Sequence, residues 1–123
     1  MSTCSVTPQA SPLASRLISI SPSNAEPCNN VTGTTGLLYM IDIDNTGNPV
    51  TALYVKCYDN ASPTVGTTPP DWIFKIDAGV RRQYLIPEGI SFGIALSVAT
   101  VTTPGTSGTV APTSTVNVWL ATS

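Results

Sequence analysis

The sequence predicts an all-β fold: a two-sheet β-sandwich or jelly-roll of six to eight strands with an extended N-terminal arm, a barrel being the second choice. Three observations predict it. Apolar residues alternate with a period of two over several short stretches. Nowhere does an apolar period of 3.6 persist for three turns, so no helix is expected. Eleven prolines, together with β-branched enrichment, break the 123-residue chain into short segments bounded by turn residues.

Residues 1–15 carry Pro8 and Pro12 among Ser, Thr, Gln and Ala, with Met1, Val6 and Leu13 as the sizeable apolar groups. They read as an arm outside the core, and 16–123 as one β-sandwich domain. Fully extended, the arm would reach about 50 Å. Residues 16–20 (Arg-Leu-Ile-Ser-Ile) read as a first short strand, and the Pro-, Gly- and Asn-rich stretch 21–36 as a long loop. In 37–44, Leu37, Tyr39, Ile41 and Ile43 fall on one face and Leu38, Met40, Asp42 and Asp44 on the other. Asn45-Thr46-Gly47-Asn48-Pro49 is a turn signal, so 52–58 is expected to return as the partner of a hairpin. The excursion 59–70 is too long for a hairpin turn and is expected to cross between sheets. Trp72, Phe74 and Ile76 alternate with Ile73, Lys75 and Asp77. Asp77-Ala78-Gly79 turns the chain, 80–86 forms a strand, and Pro87-Glu88-Gly89 turns it again. Residues 90–101 are expected to be the longest strand, with Ile90, Phe92, Ile94, Leu96 and Val98 inward and the small Ser91, Gly93, Ala95, Ser97 and Ala99 opposite, where another backbone could come close. After a Thr/Gly/Ser/Pro loop at 102–114, the last strand is 115–121.

A mass of 12.8 kDa fits one domain, which buries roughly two-thirds of its unfolded surface and so builds one modest core. Only 10% of the residues are charged, where an ordinary soluble domain has ~25%. Ser and Thr fill the gap. A hydroxyl-rich surface costs less to desolvate than one of Lys and Glu, which suits packed assemblies. The net charge of −2 and the absence of a basic run argue against nucleic acid. No stretch approaches the ~18 apolar residues of a membrane helix, and the N-terminus lacks the pattern of a secretory signal. Three widely spaced cysteines, Cys4, Cys28 and Cys57, argue for thiols and against a disulfide framework, with Cys4–Cys28 the one pairing left open.

Candidate chemistry is sparse. There is no histidine, which removes the usual general base and the usual Ser and Cys triads. Asp42 and Asp44 share a strand face about 7 Å apart, but glycosidase carboxylates flank a substrate from opposite sides and strand neighbours cannot. Asp42, Asp44, Thr46 and Gly47 fit the start of a calcium loop, yet its closing Glu is replaced by Leu53. No catalytic residue, cofactor or metal site is expected, and the chain is read as a non-enzyme. Asn30-Val31-Thr32 and Asn60-Ala61-Ser62 are sequons that mark loops. Trp72, Trp119, Tyr54 and Tyr58 would be the material of a carbohydrate platform, although aromatics on sandwiches more often serve a core or an interface. Arg16, Arg81 and Arg82 hold most of the positive charge and are suited to bidentate pairing with a partner's acidic groups.

The run LYMIDIDNTGNPVTALYVKCYDNASPTVGTTPPDWIF followed by KIDAGVRRQYLIPEGISFGIALSVATVT covers Leu38 to Thr102. Its plan is a strand ending in Asn, a strand with Tyr54, Lys56 and Tyr58, a Pro63-Thr64-x-Gly66-Thr67 crossover and a Pro87-x-Gly89-x-x-Phe92 entry to a long strand. In this it resembles a group of small proteins encoded among the structural genes of tailed double-stranded DNA bacteriophages. The resemblance covers about half of the chain and implies a virion protein of the capsid decoration (cement) type. Such proteins are made in the host cytoplasm, trimerise on the outer surface of the capsid, and bridge capsomers by binding the major capsid protein. The group carries no catalytic motif to transfer. Tail, neck or head-fibre components and a carbohydrate-binding sandwich are the alternatives. On the decoration reading, Val6, Leu13 and Arg16 are the expected capsid contacts. Leu38, Met40, Arg81, Arg82 and Trp119, with the small face of 90–101, are the expected subunit contacts.

Overall fold

The structure is a computed structural model, and it describes residues 2–8 and 15–123. The described residues form eight strands: β1 Cys4–Pro8, β2 Arg16–Ile20, β3 Gly36–Asp44, β4 Leu53–Asp59, β5 Trp72–Ile76, β6 Arg81–Phe92, β7 Leu96–Val101 and β8 Asn117–Thr122. They make two antiparallel sheets, a five-stranded one in the order β1-β2-β8-β3-β6 and a three-stranded one in the order β5-β4-β7. No helix occurs among the described residues.

Alternation builds the core. Opposed residues in an antiparallel pair share a face. In the large sheet Ile18 lies opposite Leu120 and Ile20 opposite Val118, and Ile41 and Ile43 meet the same two residues from the other side. In the small sheet Val55 and Cys57 face the same way as Phe74 and Trp72, and Cys57 opposes Val98. These residues from both sheets form one buried cluster, with Trp72, Phe74 and Tyr84 packed against its margin. The arrangement is therefore sandwich-like.

Several expectations are corrected. Residues 37–44 and 52–58 do not form a hairpin: β3 pairs with β6 and β8, while β4 lies in the other sheet. The turn at 45–48 is instead a junction between sheets. Buried Asn45 donates through Nδ2 to the carbonyls of Thr51 (2.9 Å) and Asp77 (3.1 Å), tying together the two crossings β3–β4 and β5–β6. The 59–70 excursion does not cross: β4 and β5 are neighbours. The strand expected over 90–101 is broken between Phe92 and Leu96 into members of different sheets. Pro87-Glu88-Gly89 does not separate two strands. It lies in a bulge of β6, where the register jumps between Leu38↔Ile90 and Met40↔Leu85. Gly89 at φ +76° follows from this: a Cβ there would sit 2.9 Å from the Leu37 Cβ.

The arm is also redrawn. Cys4–Pro8 is a strand paired residue for residue with β2, so the boundary expected at residue 15 falls inside a sheet. Thr3 extends the pairing: its N donates to Pro22 O (3.1 Å) and its O accepts from Ser21 N (2.8 Å). Cys4 and Cys28 are joined as a disulfide with their Cα atoms 6.4 Å apart, where thiols were expected. Cys28 also exchanges backbone bonds with Val98, so the disulfide links the edge of the large sheet to a segment lying along the small one. Cys57 is free and buried, and burial pushes its thiol up to about 12. Residues 9–14, including Leu13, lie outside the described residues.

Candidate interaction surface

Cavities do not mark a site among the described residues, so the candidates are surfaces. The two sheets present different outer faces. On the small sheet this face carries Tyr54, Lys56 and Tyr58 of β4 and Ser97, Ala99 and Val101 of β7. Lys56, Tyr58, Ser97, Ala99 and Val101 are all buried. The chain's own loops do this. The Lys56 ammonium donates to the Gly108 carbonyl at 2.8 Å, and Gly66 lies against the Thr109 methyl, so the two long loops meet over the sheet. Desolvation holds Lys56 below its ordinary pKa. The free side of β7 is occupied as well: Val31 N donates to Leu96 O (2.8 Å) and Thr100 N to Asn24 O (2.9 Å). Of the small face of 90–101, Ala95, Ser97 and Ala99 are therefore buried within the chain, while Ser91 and Gly93 are exposed.

Among the described residues, the outer face of the large sheet is not covered in this way. One row across it runs Thr7, Leu17, Ala121, Met40 and Leu85; the next runs Ser5, Ser19, Trp119, Asp42 and Gln83. Arg81, on the edge strand, reaches over the second of these rows. Its guanidinium makes a two-pronged pair with Asp42 (Nε to Oδ1 3.1 Å, Nη2 to Oδ2 3.0 Å) and lies 4.7 Å from the centroid of the Trp119 ring. The Asp42 hydrogen bonds raise the Arg81 pKa. Asp44 is held below the usual carboxylate range first by the Thr46 hydroxyl and then by the Thr46 amide. Both acidic residues of the calcium-like segment thus have partners within the chain.

Of the expected subunit contacts, Met40, Arg81 and Trp119 come together on this face. Arg82 is exposed on the same edge strand but lies opposite Ile43, so its side chain leaves on the other side of the sheet. Leu38 is a correction: it is fully buried. A β-bulge at Tyr39 shifts the register between Leu38 and Met40, so the alternation changes phase and Leu38 joins Ile41 and Ile43 inside. Of the expected capsid contacts, Val6 is 42% exposed on β1 and Arg16 begins β2, with Nη1 donating to the Ser123 carbonyl at 3.3 Å. They are not on the Met40–Trp119 face, because Val6 opposes Ile18 and Arg16 opposes Thr122. The four aromatics of the carbohydrate platform are dispersed: Trp72 packs on the core, Tyr58 is buried, and Tyr54 and Trp119 lie on opposite outer faces.

Two features escaped the sequence. Leu85 is 61% exposed beside Met40; the alternation Arg81, Gln83, Leu85 was the available signal. Asp59 closes the break between β6 and β7. Its carboxylate accepts the amides of Gly93 (2.9 Å), Ile94 (2.8 Å) and Ala95 (3.1 Å), and this presents Ile94, 67% exposed, at the tip. Desolvation pushes the Asp59 carboxyl up, but the three amides together outweigh it and hold the group below its ordinary value. Nothing in the local sequence points from residue 59 to residue 94.

Compared with known proteins, the chain matches no family model, no curated protein and no solved structure.

Proposed function

We propose that the chain is a virion structural protein of a tailed double-stranded DNA bacteriophage, a capsid decoration protein that assembles as a homotrimer on the outer surface of the head and bridges capsomers of the major capsid protein. The observation that carries this reading is the contrast between the outer faces. One sheet is closed by the chain's own loops, while the other presents Met40, Trp119 and Leu85 beside the Arg81–Asp42 pair. The phage-like plan of residues 38–102 gives that surface its setting. The repeated passage between sheets, at β3–β4, β5–β6, β6–β7 and β7–β8, supports the jelly-roll form. Residues 4–8 do not serve as a reaching arm in this proposal, since they are paired with β2. The protein has no catalytic role in this proposal. It is made in the host cytoplasm, where the Cys4–Cys28 bond would stay reduced, and it closes that bond after release into an oxidising medium.

The test is a cryo-EM map of purified virions together with sedimentation of the isolated chain. Density for this domain on the outside of the shell, with a trimer in solution, is the expected result. Density at the neck or tail, or absence from the particle, overturns it.

A further inference from the structure

We infer that the open edge of β6, at residues 81–85, takes a second copy of this chain in antiparallel register centred on Gln83. The inference does not rest on the phage reading; it follows from where the backbone groups of β6 point.

β6 ends the large sheet. Asn45 N donates to Val80 O at 3.0 Å. Hydrogen-bonded and non-bonded pairs alternate along an antiparallel ladder. With Ile43 opposite Arg82 and Ile41 opposite Tyr84, the backbone groups of Val80, Arg82 and Tyr84 are spent on β3. Those of Arg81, Gln83 and Leu85 point the other way. No other described element bonds to them, and all three residues are exposed. The open stretch has defined ends. Pro87 has no N–H to offer, and the bulge around it bends the strand out of line.

An edge of this kind accepts another strand, and the side chains choose which. With two copies related by a two-fold axis at Gln83, Gln83 opposes itself and Arg81 opposes Leu85 of the second copy. Each of these pairs exchanges both backbone bonds. Arg82 then lies opposite Tyr84 of the second copy, a cation beside an aromatic ring, and the exposed Leu85 gains the aliphatic stem of an arginine. No like charges are opposed. The neighbouring registers are worse. An axis at Arg82 or Arg81 sets a guanidinium against its own copy. An axis at Tyr84 sets Pro87 against Arg81, and one at Leu85 sets it against Gln83; either loses a donor. Hydrogen-bond and charge complementarity therefore agree on one self-complementary register, as an isologous contact requires. The contact is two-fold, so in the proposed trimer it would join chains of neighbouring trimers.

The experiment uses the full chain with Gln83→Cys. Cys57 is buried and Cys4 is joined to Cys28, so the new thiol is the accessible one. Mild oxidation is expected to give a covalent dimer, while the control Val50→Cys, on a loop residue 90% exposed, stays uncrosslinked. Crosslinking of Q83C no faster than V50C overturns the inference, even if the chain is a trimer. Leu85→Lys places a second cation opposite Arg81 of the other copy without touching the core. It is expected to weaken self-association measured by sedimentation by about tenfold or more; unchanged self-association overturns the register. If Q83C stays uncrosslinked and the amides of Arg81, Gln83 and Leu85 slow their hydrogen exchange only when capsid protein is added, the occupant is a strand of another protein and the second copy is ruled out.

Discussion

The two outer faces of this molecule are built from similar alternating strands and end in opposite states. Over the small sheet, Lys56, Tyr58 and Ala99 are sealed beneath loops that began in the sequence as unpromising Thr/Gly/Pro stretches. Over the large sheet, among the described residues, Trp119 has Arg81 lying against its ring and Met40 has its row neighbours Ala121 and Leu85. A strand face is thus not buried or exposed because of its own residues. Lys56 and Tyr58 look like surface positions and are interior; Leu85 and Met40 look like core positions and are not. What decides is whether a loop long enough to fold back lies nearby. The 60–71 and 102–116 connections are long enough and fold over the small sheet, while the comparably long 21–35 connection, which enters β3, runs along β7 instead.

The largest test of this contrast is Tyr58→Ala. Removing a fully buried ring beneath the loops is expected to cost about 3–5 kcal/mol in denaturant unfolding, whereas a surface residue would cost under about 0.5 kcal/mol. Tyr58→Phe sharpens the result. The Tyr58 hydroxyl is buried with no partner among the described residues, so losing it is expected to leave stability unchanged or raise it. A loss above about 1 kcal/mol in Tyr58→Phe would show that the hydroxyl has a partner, such as an internal water.

The second test is Asp59→Ala. The carboxylate holds three successive amides at the passage between sheets. Its loss is expected to cost about 1–2 kcal/mol, the lower part of the range for charged hydrogen bonds, because water screens the site. The pH dependence has a definite sign. The folded carboxyl lies below its ordinary value, so its contribution is complete above the unfolded pKa of about 3.9 and is lost as pH falls through the folded pKa. Wild type should therefore lose more stability than Asp59→Ala on acidification below about pH 4. Parallel acid titrations of the two proteins would contradict this.

These cases show what the sequence made legible. Strand positions were, because alternation is local: the spans expected at 16–20, 37–44, 52–58 and 72–76 correspond to β2, β3, β4 and β5 within a residue or so at most ends. Pairing was not. Asn45-Thr46-Gly47-Asn48-Pro49 specifies a bend, but whether the chain returns to the same sheet depends on Asn45 reaching Asp77, far along the sequence. Facing failed where the strands are irregular: the bulge at Tyr39 changes the phase and sent Leu38 inside while leaving Met40 out, and the break between β6 and β7 leaves Ile94, expected inward, 67% exposed. β1 was missed because its neighbouring prolines read as an arm, although the free edge of β2 and the disulfide to Cys28 hold it. The candidate surface was half legible: Met40, Arg81 and Trp119 emerged from alternation and composition, while Leu85 and the Asp59 clasp depend on contacts that no local pattern encodes.

A third test separates the two faces by charge. Lys56 is buried, and desolvation lowers its pKa. A base with a depressed folded pKa binds fewer protons folded than unfolded, so stability should rise with pH between the folded value and the unfolded value of about 10.4. Lys56→Met removes that rise. Comparing the two proteins' unfolding midpoints at neutral and alkaline pH checks it; equal slopes would mean that water reaches the ammonium through the loops.

The smallest expected effect belongs to the open face. Arg81→Ala removes the paired bonds to Asp42 and the cation above Trp119, yet the guanidinium is solvated and its contribution to the isolated fold should be slight. What little there is should depend on salt. At about 1 M ionic strength, where the Debye length is ~3 Å, the stabilities of wild type and Arg81→Ala are expected to converge, while Tyr58→Ala stays as destabilised as before. Self-association should follow a different course. Arg81 lies against Trp119 and Asp42, and its aliphatic stem is what Leu85 of a second copy would cover. Arg81→Ala is therefore expected to weaken association out of proportion to its effect on folding. A variant that lost stability and kept association would reverse the contrast between the faces, placing the structural burden on the open one.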